Sequence, residues 1–430
     1  MATTKKPTSL TLRTYQVGFG DCFLLTFNYA KDARHILIDF GSTGQPKTAG
    51  ENLMNRIAAD IKEQCGGKLH AVVATHRHKD HISGFATAKN GKASGDIIRS
   101  CSPDVVIQPW TEDPKAATDA TRATQTSVST SKSAKGLVAS LSNMQTVSGA
   151  MLTEAKRMSS SLGLGLQKQL AFIGDDNLSN LSAVQNLMTM GKKNYYVNFG
   201  SKSGLETILP GVKIHVLGPP TIDQSDKIKK QRSTDANEFW KLQAAAGNHV
   251  AAASKLFPHA RVYRGSSIPQ YARWFLPRAQ KIRGDQMLEL VRILDTAMNN
   301  TSVILLFEVG GKKLLFPGDA QIENWSFALS KPECQKLLAD VDLYKVGHHG
   351  SLNATPKSLW ALFKNRSKTA SPKRLQSVVS TMAGKHGTVS SGTEVPRSKL
   401  VDALKAESTY YTTQDLKGSK VIRKDFTIEF

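Results

Sequence analysis

Cysteine is scarce in this chain of 430 residues: there are four. Cys22, Cys65, Cys101 and Cys334 are scattered with no CxxC spacing, which excludes a disulfide framework and a cysteine zinc site and leaves buried thiols. Long apolar runs are also missing. Stretches such as Leu69 to Ala74 and Val303 to Phe307 fall well short of the roughly 18 residues of a spanning helix, so no transmembrane segment is expected. The start, MATTKKPTSL, has no apolar stretch behind its lysines, which argues against a secretory signal and for a cytoplasmic protein. Acidic residues are few: 35 Asp and Glu stand against 57 Lys and Arg, a net charge of +22. That excess favours polyanionic partners, with nucleic acid ahead of an anionic surface and no membrane association expected. Hydrophobic residues at 40% and charged residues at 21% are ordinary globular values. The length suits two domains or one large domain with insertions.

Strand patterns open the chain: TLRTYQV, a Gly-Phe-Gly-Asp turn, CFLLTFNY, a charged hairpin at 31–34, and HILIDF, a β-meander. Glu51 to Gln64 places Leu53, Ile57 and Ile61 at helical spacing, and Gly66-Gly67 then leads into the buried strand LHAVVAT. Helix followed by buried strand predicts α/β layering. The strand VVIQPW begins near Val105. Residues 111–161 turn to Ser, Thr, Ala and Lys, and the segment 111–194 reads as an insertion. KNYYVNF and GVKIHVLGPP restore strand character. Residues 221–298 read as a second, basic and mainly helical insertion. It holds the run KIKKQR (227–232) and, from Lys255 to Arg292, cations alternating with Phe257, Tyr263, Tyr271, Trp274 and Phe275. The chain resumes with the hairpin TSVILLFEV and KKLLFPGDA, a helix, VDLYKV, another helix, QSVVSTM, and a last strand pair closing on DFTIEF.

The densest chemical signal is THRHKDH, Thr75 to His81, at the end of an apolar strand. The chain has 11 histidines, and three of them fall here within six positions beside an aspartate. In an extended loop His76 and His78 can face one ion while Asp80 and His81 turn toward a second, and imidazole with carboxylate suits zinc or manganese. LLFPGDA sets Asp319 just past a strand, where a carboxylate can bridge two metals. VDLYKVGHHGS sets His348 and His349 after another strand. Three metal-bearing loops are thus expected along one sheet edge.

In order along the chain, VGFGDCFLL, ILIDFGS, THRHKDH, NNTSVILLFEVGGKKLLFPGDA and LYKVGHHGS resemble metallo-β-lactamase-fold hydrolases. Within that group the chain is most similar to the soluble hydrolase domain of ComEC-type competence proteins. GKHGT, with Lys385 and His386, and the late hairpin TTQDLKG add to the likeness, which covers roughly 10–110, 195–220 and 299–430. The resemblance implies an α/β fold, an αββα sandwich over residues 10–430 carrying the two inserted segments. It implies two divalent metal ions, Zn or Mn. His76 and His78 would bind the first, Asp80, His81 and His348 the second, and Asp319 would bridge them. Asp39 would support the ligand loop, with Lys385 and Ser351 toward substrate. One departure stands out: many members carry a further histidine at the end of the strand that here finishes in Gly218-Pro219-Pro220, and His215 lies three residues early. This leaves the first metal with fewer protein ligands.

Two such ions would stabilise both the attacking and the leaving oxygens of a phosphodiester. Asp80 can orient the nucleophilic water, and His349 or His386 can protonate the leaving oxygen. The fold alone does not choose a substrate. The charge and the basic-aromatic stretch favour nucleic acid, with DNA preferred, and hence a nuclease. The alternatives are a hydrolase of small phosphodiesters or esters, and a nucleic-acid-binding module inactive until activated. In the last case the segment 115–161 would cover the cleft, or a regulatory protein partner would restrain the enzyme.

Overall fold

The computed structural model describes residues 6–113, 115, 122, 181–225, 298–390, 394–418 and 420–430. All the described elements belong to one unit of the chain, built from 1–138, 179–228 and 298–430. The basic run at 227–232, the aromatic stretch at 255–292 and nearly all of 115–161 lie outside the described residues.

Two mixed sheets form the body. In the first, β1 (Ser9–Tyr15), β2 (Cys22–Asn28) and β3 (Ala33–Phe40) make the expected antiparallel meander. β4 (Ala71–Val73), β5 (Val105–Pro109) and β6 (Lys193–Val197) then continue it in parallel. In the second, β7 (Lys213–Gly218), β8 (Ile304–Val309) and β9 (Lys312–Phe316) are antiparallel. β10 (Leu343–Lys345), β11 (Gln376–Val379) and β12 (Thr409–Thr412) add on in parallel. The final strand, β13 (Arg423–Glu429), pairs antiparallel with β1 in the first sheet, Ser9 facing Glu429. The C-terminal strands expected as a pair therefore lie in different sheets. After β12 the chain turns at Thr413–Asp415 and returns to the first sheet instead of forming a hairpin.

Alternation along the strands explains the layers. In β2, Phe23, Leu25 and Phe27 point to a core shared with Leu305 and Phe307 of β8 and Leu314 and Phe316 of β9, so the sheets meet face to face. The intervening Cys22 and Leu24 face the opposite side, where they pack with helix residues Leu53, Ile57 and Ile61. Burial on both faces is why β2 reads as a continuous apolar run and not an alternating one. Those helix residues lie on α1 (Leu53–Gln64), which ends at Cys65 where Gly66 and Gly67 adopt positive φ of 57° and 73°. A left-handed turn of that kind is the usual glycine stop of a helix. The outer face of the second sheet packs Leu306 and Leu315 with Trp325, Leu338, Leu359 and Leu404. These come from α5 (Ile322–Leu329), α6 (Pro332–Ala339), α7 (Lys357–Leu362) and α8 (Ser398–Glu407).

Helices α2 (Lys79–Ile82), α3 (Ser94–Ser100) and α4 (Leu181–Thr189) complete the first sheet's side. α4 falls inside the segment expected as the first insertion, yet its Ala183, Val184 and Leu187 pack in the core over the first sheet, and the strand expected at KNYYVNF follows as the edge strand β6. The Leu181–Thr189 pattern is apolar on one helical face, and that face requires a sheet to cover it. All four cysteines are free and buried. Among the described residues, no helix is long and apolar enough to cross a membrane.

Candidate metal centre

The C-terminal ends of β3, β4, β9 and β10 carry the chemistry. Asp39, at the end of β3, has a positive φ of 53°, which turns its carboxylate toward the loop after β4. There it accepts from the Thr75 N–H and the Thr75 hydroxyl, each at 2.8 Å, and meets His81 Nδ1 at 2.8 Å. Thr75 Oγ1 lies 3.2 Å from His76 Nδ1. Asp39 Oδ2 thus orients two imidazoles, His81 directly and His76 through the Thr75 hydroxyl, while Oδ1 holds the Thr75 backbone, the supporting arrangement usual behind metal-binding histidines.

Two donor groups face each other beyond this support. His76, His78 and Asp80 form one, with His76 Nε2 and His78 Nδ1 only 2.9 Å apart. Asp80, His81, Asp319 and His349 form the other. In the second group His81 Nε2 lies 3.0 Å from Asp319 Oδ2, and His349 Nε2 lies 2.9 Å from Asp80 Oδ2 and 3.5 Å from Asp319 Oδ2. Asp80 is common to both groups, whereas the sequence reading gave the bridging position to Asp319. His349, expected to be a proton donor, stands among the donors. His348, expected as a ligand, has its Nε2 at 4.0 Å from Asp319 Oδ2 and a side chain 27% exposed. The exchange has a backbone cause. Both histidines take positive φ, 44° and 52°, in the turn after β10, and this rotation sends the second ring inward and the first toward the rim.

Burial and charge fix the protonation of these groups. Burial lowers the His76 pKa well below its ordinary value, helped by His81 and His78, so the ring is neutral and its nitrogen is free to ligate. Burial alone would raise Asp80 and Asp319, but His81 and His349 beside them hold both carboxyls below the usual range. For His81 burial acts downward, and the surrounding carboxylates, led by Asp319 and Asp39, overcome it and raise the ring well above its ordinary value. Asp21, Asp39 and Asp319 are buried here and Asp80 is half-buried, with the buried ammonium of Lys345 against Asp21 and Asp319. The neutral ring of His76, the ionised Asp80 and Asp319, and an acidic surround strong enough to hold His81 and His349 above their ordinary values make this a site that a divalent cation fits.

Lys345 and Asp21 were not among the residues singled out in the sequence. Lys345 is 2% exposed at the end of β10; it forms an ion pair with Asp21, lies 3.6 Å from Asp319 Oδ1 and donates to Gly318 O at 3.1 Å. Burial would lower its pKa, but Asp21 and Asp319 raise it, so it stays charged. The signal was a lysine inside the short strand LYK, all three residues of which are buried. Asp21 sits in the Gly-Phe-Gly-Asp turn, and its N–H donates to Asp80 O at 3.0 Å. A second buried pair, Arg77 Nε to Glu112 Oε2 at 2.8 Å, ties the histidine loop to the end of β5.

The remaining expected residues lie at the margin. His386 meets Phe19 edge-on at 4.0 Å between ring centroids, and His349 tilts against the same phenyl at 4.3 Å. Burial lowers His386 to about 4, so at neutral pH it carries no imidazolium proton to give up. Lys385 is exposed, and Ser351 is half-buried with its N–H on His348 O at 2.8 Å. No protein-family model matches this chain, and no curated protein matches it.

Proposed function

We propose that the protein is a metal-dependent phosphodiester hydrolase of the metallo-β-lactamase fold, acting on DNA as a nuclease. The observation that carries this reading is the pair of buried donor groups sharing Asp80 at one edge of two face-to-face sheets. The two helix-covered outer faces support the fold assignment, and the net charge of +22 supports a polyanionic substrate.

His76, His78 and Asp80 would hold one ion, and Asp80, His81, Asp319 and His349 the other. Two bound divalent ions would supply a nucleophile at neutral pH and stabilise the oxygens of the displacement. The chain's own part is to hold those donors rigid. Asp39 and Thr75 fix the rings of His81 and His76, Ser380 O sets His349 through its Nδ1 at 3.0 Å, and Lys345 anchors Asp319 from beneath. His348, at the rim, would donate an N–H to a phosphate oxygen, and the neutral ring of His386 would form a wall with Phe19.

The test is incubation with linear and circular DNA in Mn²⁺, Zn²⁺ or EDTA. Cleavage is expected only with metal and should fall by at least about a thousandfold in Asp80→Ala, since both ions share that carboxylate. Equal cleavage by Asp80→Ala or in EDTA would overturn the proposal. Turnover of small phosphodiesters without DNA cleavage would move the substrate to that class.

A further inference from the structure

The first donor group has two histidines and the shared aspartate, and β7 offers it nothing more. Its end is Gly218-Pro219-Pro220, and His215 is engaged with Glu308 of the neighbouring strand at 3.3 Å. We propose that Asn299 supplies the additional donor: its side-chain oxygen is a ligand of the first cation beside His76 Nε2 and His78 Nδ1. The inference rests on the metal-dependent reading above and adds a residue to the same site.

Three atoms converge there. His78 Nδ1 lies 2.9 Å from His76 Nε2 and 3.1 Å from Asn299 Oδ1. Ligands of one tetrahedral ion, bound at about 2.0–2.1 Å, stand roughly 3.3 Å apart, close to both spacings. An amide oxygen is an acceptable hard donor for manganese and a weaker one for zinc. Asn299 is buried, and its Nδ2 has no hydrogen-bond partner among the described residues. A buried amide half satisfied is unusual, and a cation on its oxygen accounts for the orientation.

The segment that carries Asn299 is fixed on several sides. The Val303 N–H donates to Thr75 O at 2.9 Å, binding the segment to the histidine loop. The Ser302 N–H donates to Asn299 O at 3.0 Å, and Ser302 Oγ accepts from the Asp319 N–H at 3.3 Å. Asn300 donates to Glu323 of α5 at 3.0 Å. The residues at 299–303 thus reach both donor groups with no freedom to swing away.

The experiment is titration of the metal-free protein with Mn²⁺ by calorimetry, and with Co²⁺ by visible absorption. In Asn299→Ala the first cation should bind at least about tenfold more weakly, the scale on which loss of a supporting contact acts at such sites. The Co²⁺ band of that site should change shape while the second cation binds as before. Asn299→Asp preserves the shape and adds charge, so it should tighten the first cation. It also decides the matter if the alanine variant fails to fold. Wild-type stoichiometry, affinity and Co²⁺ spectrum in Asn299→Ala, or unchanged affinity in Asn299→Asp, would overturn the proposal and leave the metal-dependent reading standing. A wild-type protein that binds no divalent ion would overturn both.

Discussion

The strands β3 and β4 have histidines near both ends, and the pair at the N-terminal end is treated oppositely to His81 beyond the C-terminal end. At the N-terminal end, His35 and His70 lie 5.8 Å apart, with Arg34 on His70 Nε2 at 3.0 Å and Thr26 on His35 Nδ1 at 3.1 Å. Burial lowers both to about 4, and the neighbouring cations act in the same direction. At the C-terminal end, the ring of His81 sits among Asp39, Asp80 and Asp319, and is raised. Burial penalises the charged ring at both ends and prevails at His76 too, so what sets His81 apart is the carboxylates in direct contact with both of its nitrogens. A pair of strands does not make a histidine a ligand or a structural acceptor. The charges that the topology brings to each end do.

The largest effect should come from removing the buried ammonium that offsets Asp21 and Asp319. Lys345→Met leaves Asp21 and Asp319 buried without it, and should cost about 3–5 kcal/mol in urea unfolding. Adding Asp21→Asn to Lys345→Met should restore part of that loss, because the buried charge is removed with its partner. A double variant no more stable than the single would show that the pair is not an electrostatic unit. Leu305→Ala, in the apolar core between the sheets, should cost about 2–5 kcal/mol with or without metal.

A smaller effect sharpens the contrast between the strand ends. Divalent metal at about a hundredfold above its dissociation constant should stabilise the wild type by about 2.7 kcal/mol, read as a rise in Tm. The rise should shrink in His76→Ala and persist in a variant lacking His35 and His70. Equal rises in all three would detach the metal from the C-terminal end.

The smallest effect belongs to the N-terminal end. His35 and His70 titrate near 4 in the folded protein, against about 6.5 in an unfolded chain. Between those values the unfolded state binds more protons, so stability is complete above about pH 6.5 and declines as the pH falls toward 4. Both rings are partly exposed, and screening holds the effect to about 1 kcal/mol. A His35→Gln, His70→Gln variant should flatten this limb of the stability profile, and an unchanged limb would assign it to other groups.

Much of this was legible in the sequence. The meander, the helix at Leu53–Gln64 and the strand-end positions of THRHKDH and Asp319 follow from periodicity and turn residues, which act over a few neighbours. The destination of the last strand was not legible. β12 and β13 have the local pattern of a hairpin, and only the open edge at β1 draws the second of them to the other sheet. α4 was hidden by the polar composition around it, since its apolar face gains meaning only once a sheet is beneath it. In the site, the order of His348 and His349 depended on two positive φ angles that no residue preference announces.

The sequence by itself determined which side chains could ligate, roughly where each strand ends, and the sign of the charge the molecule presents. The tertiary structure decided that Asp80 is the shared carboxylate, that Lys345 and Asp21 lie beneath the donors, and that Asn299 reaches His78 across 221 positions of chain. The reason is physical. Ligand chemistry is a property of single residues and their near neighbours, whereas convergence, burial and countercharge arise only when strands distant in the chain end at the same edge.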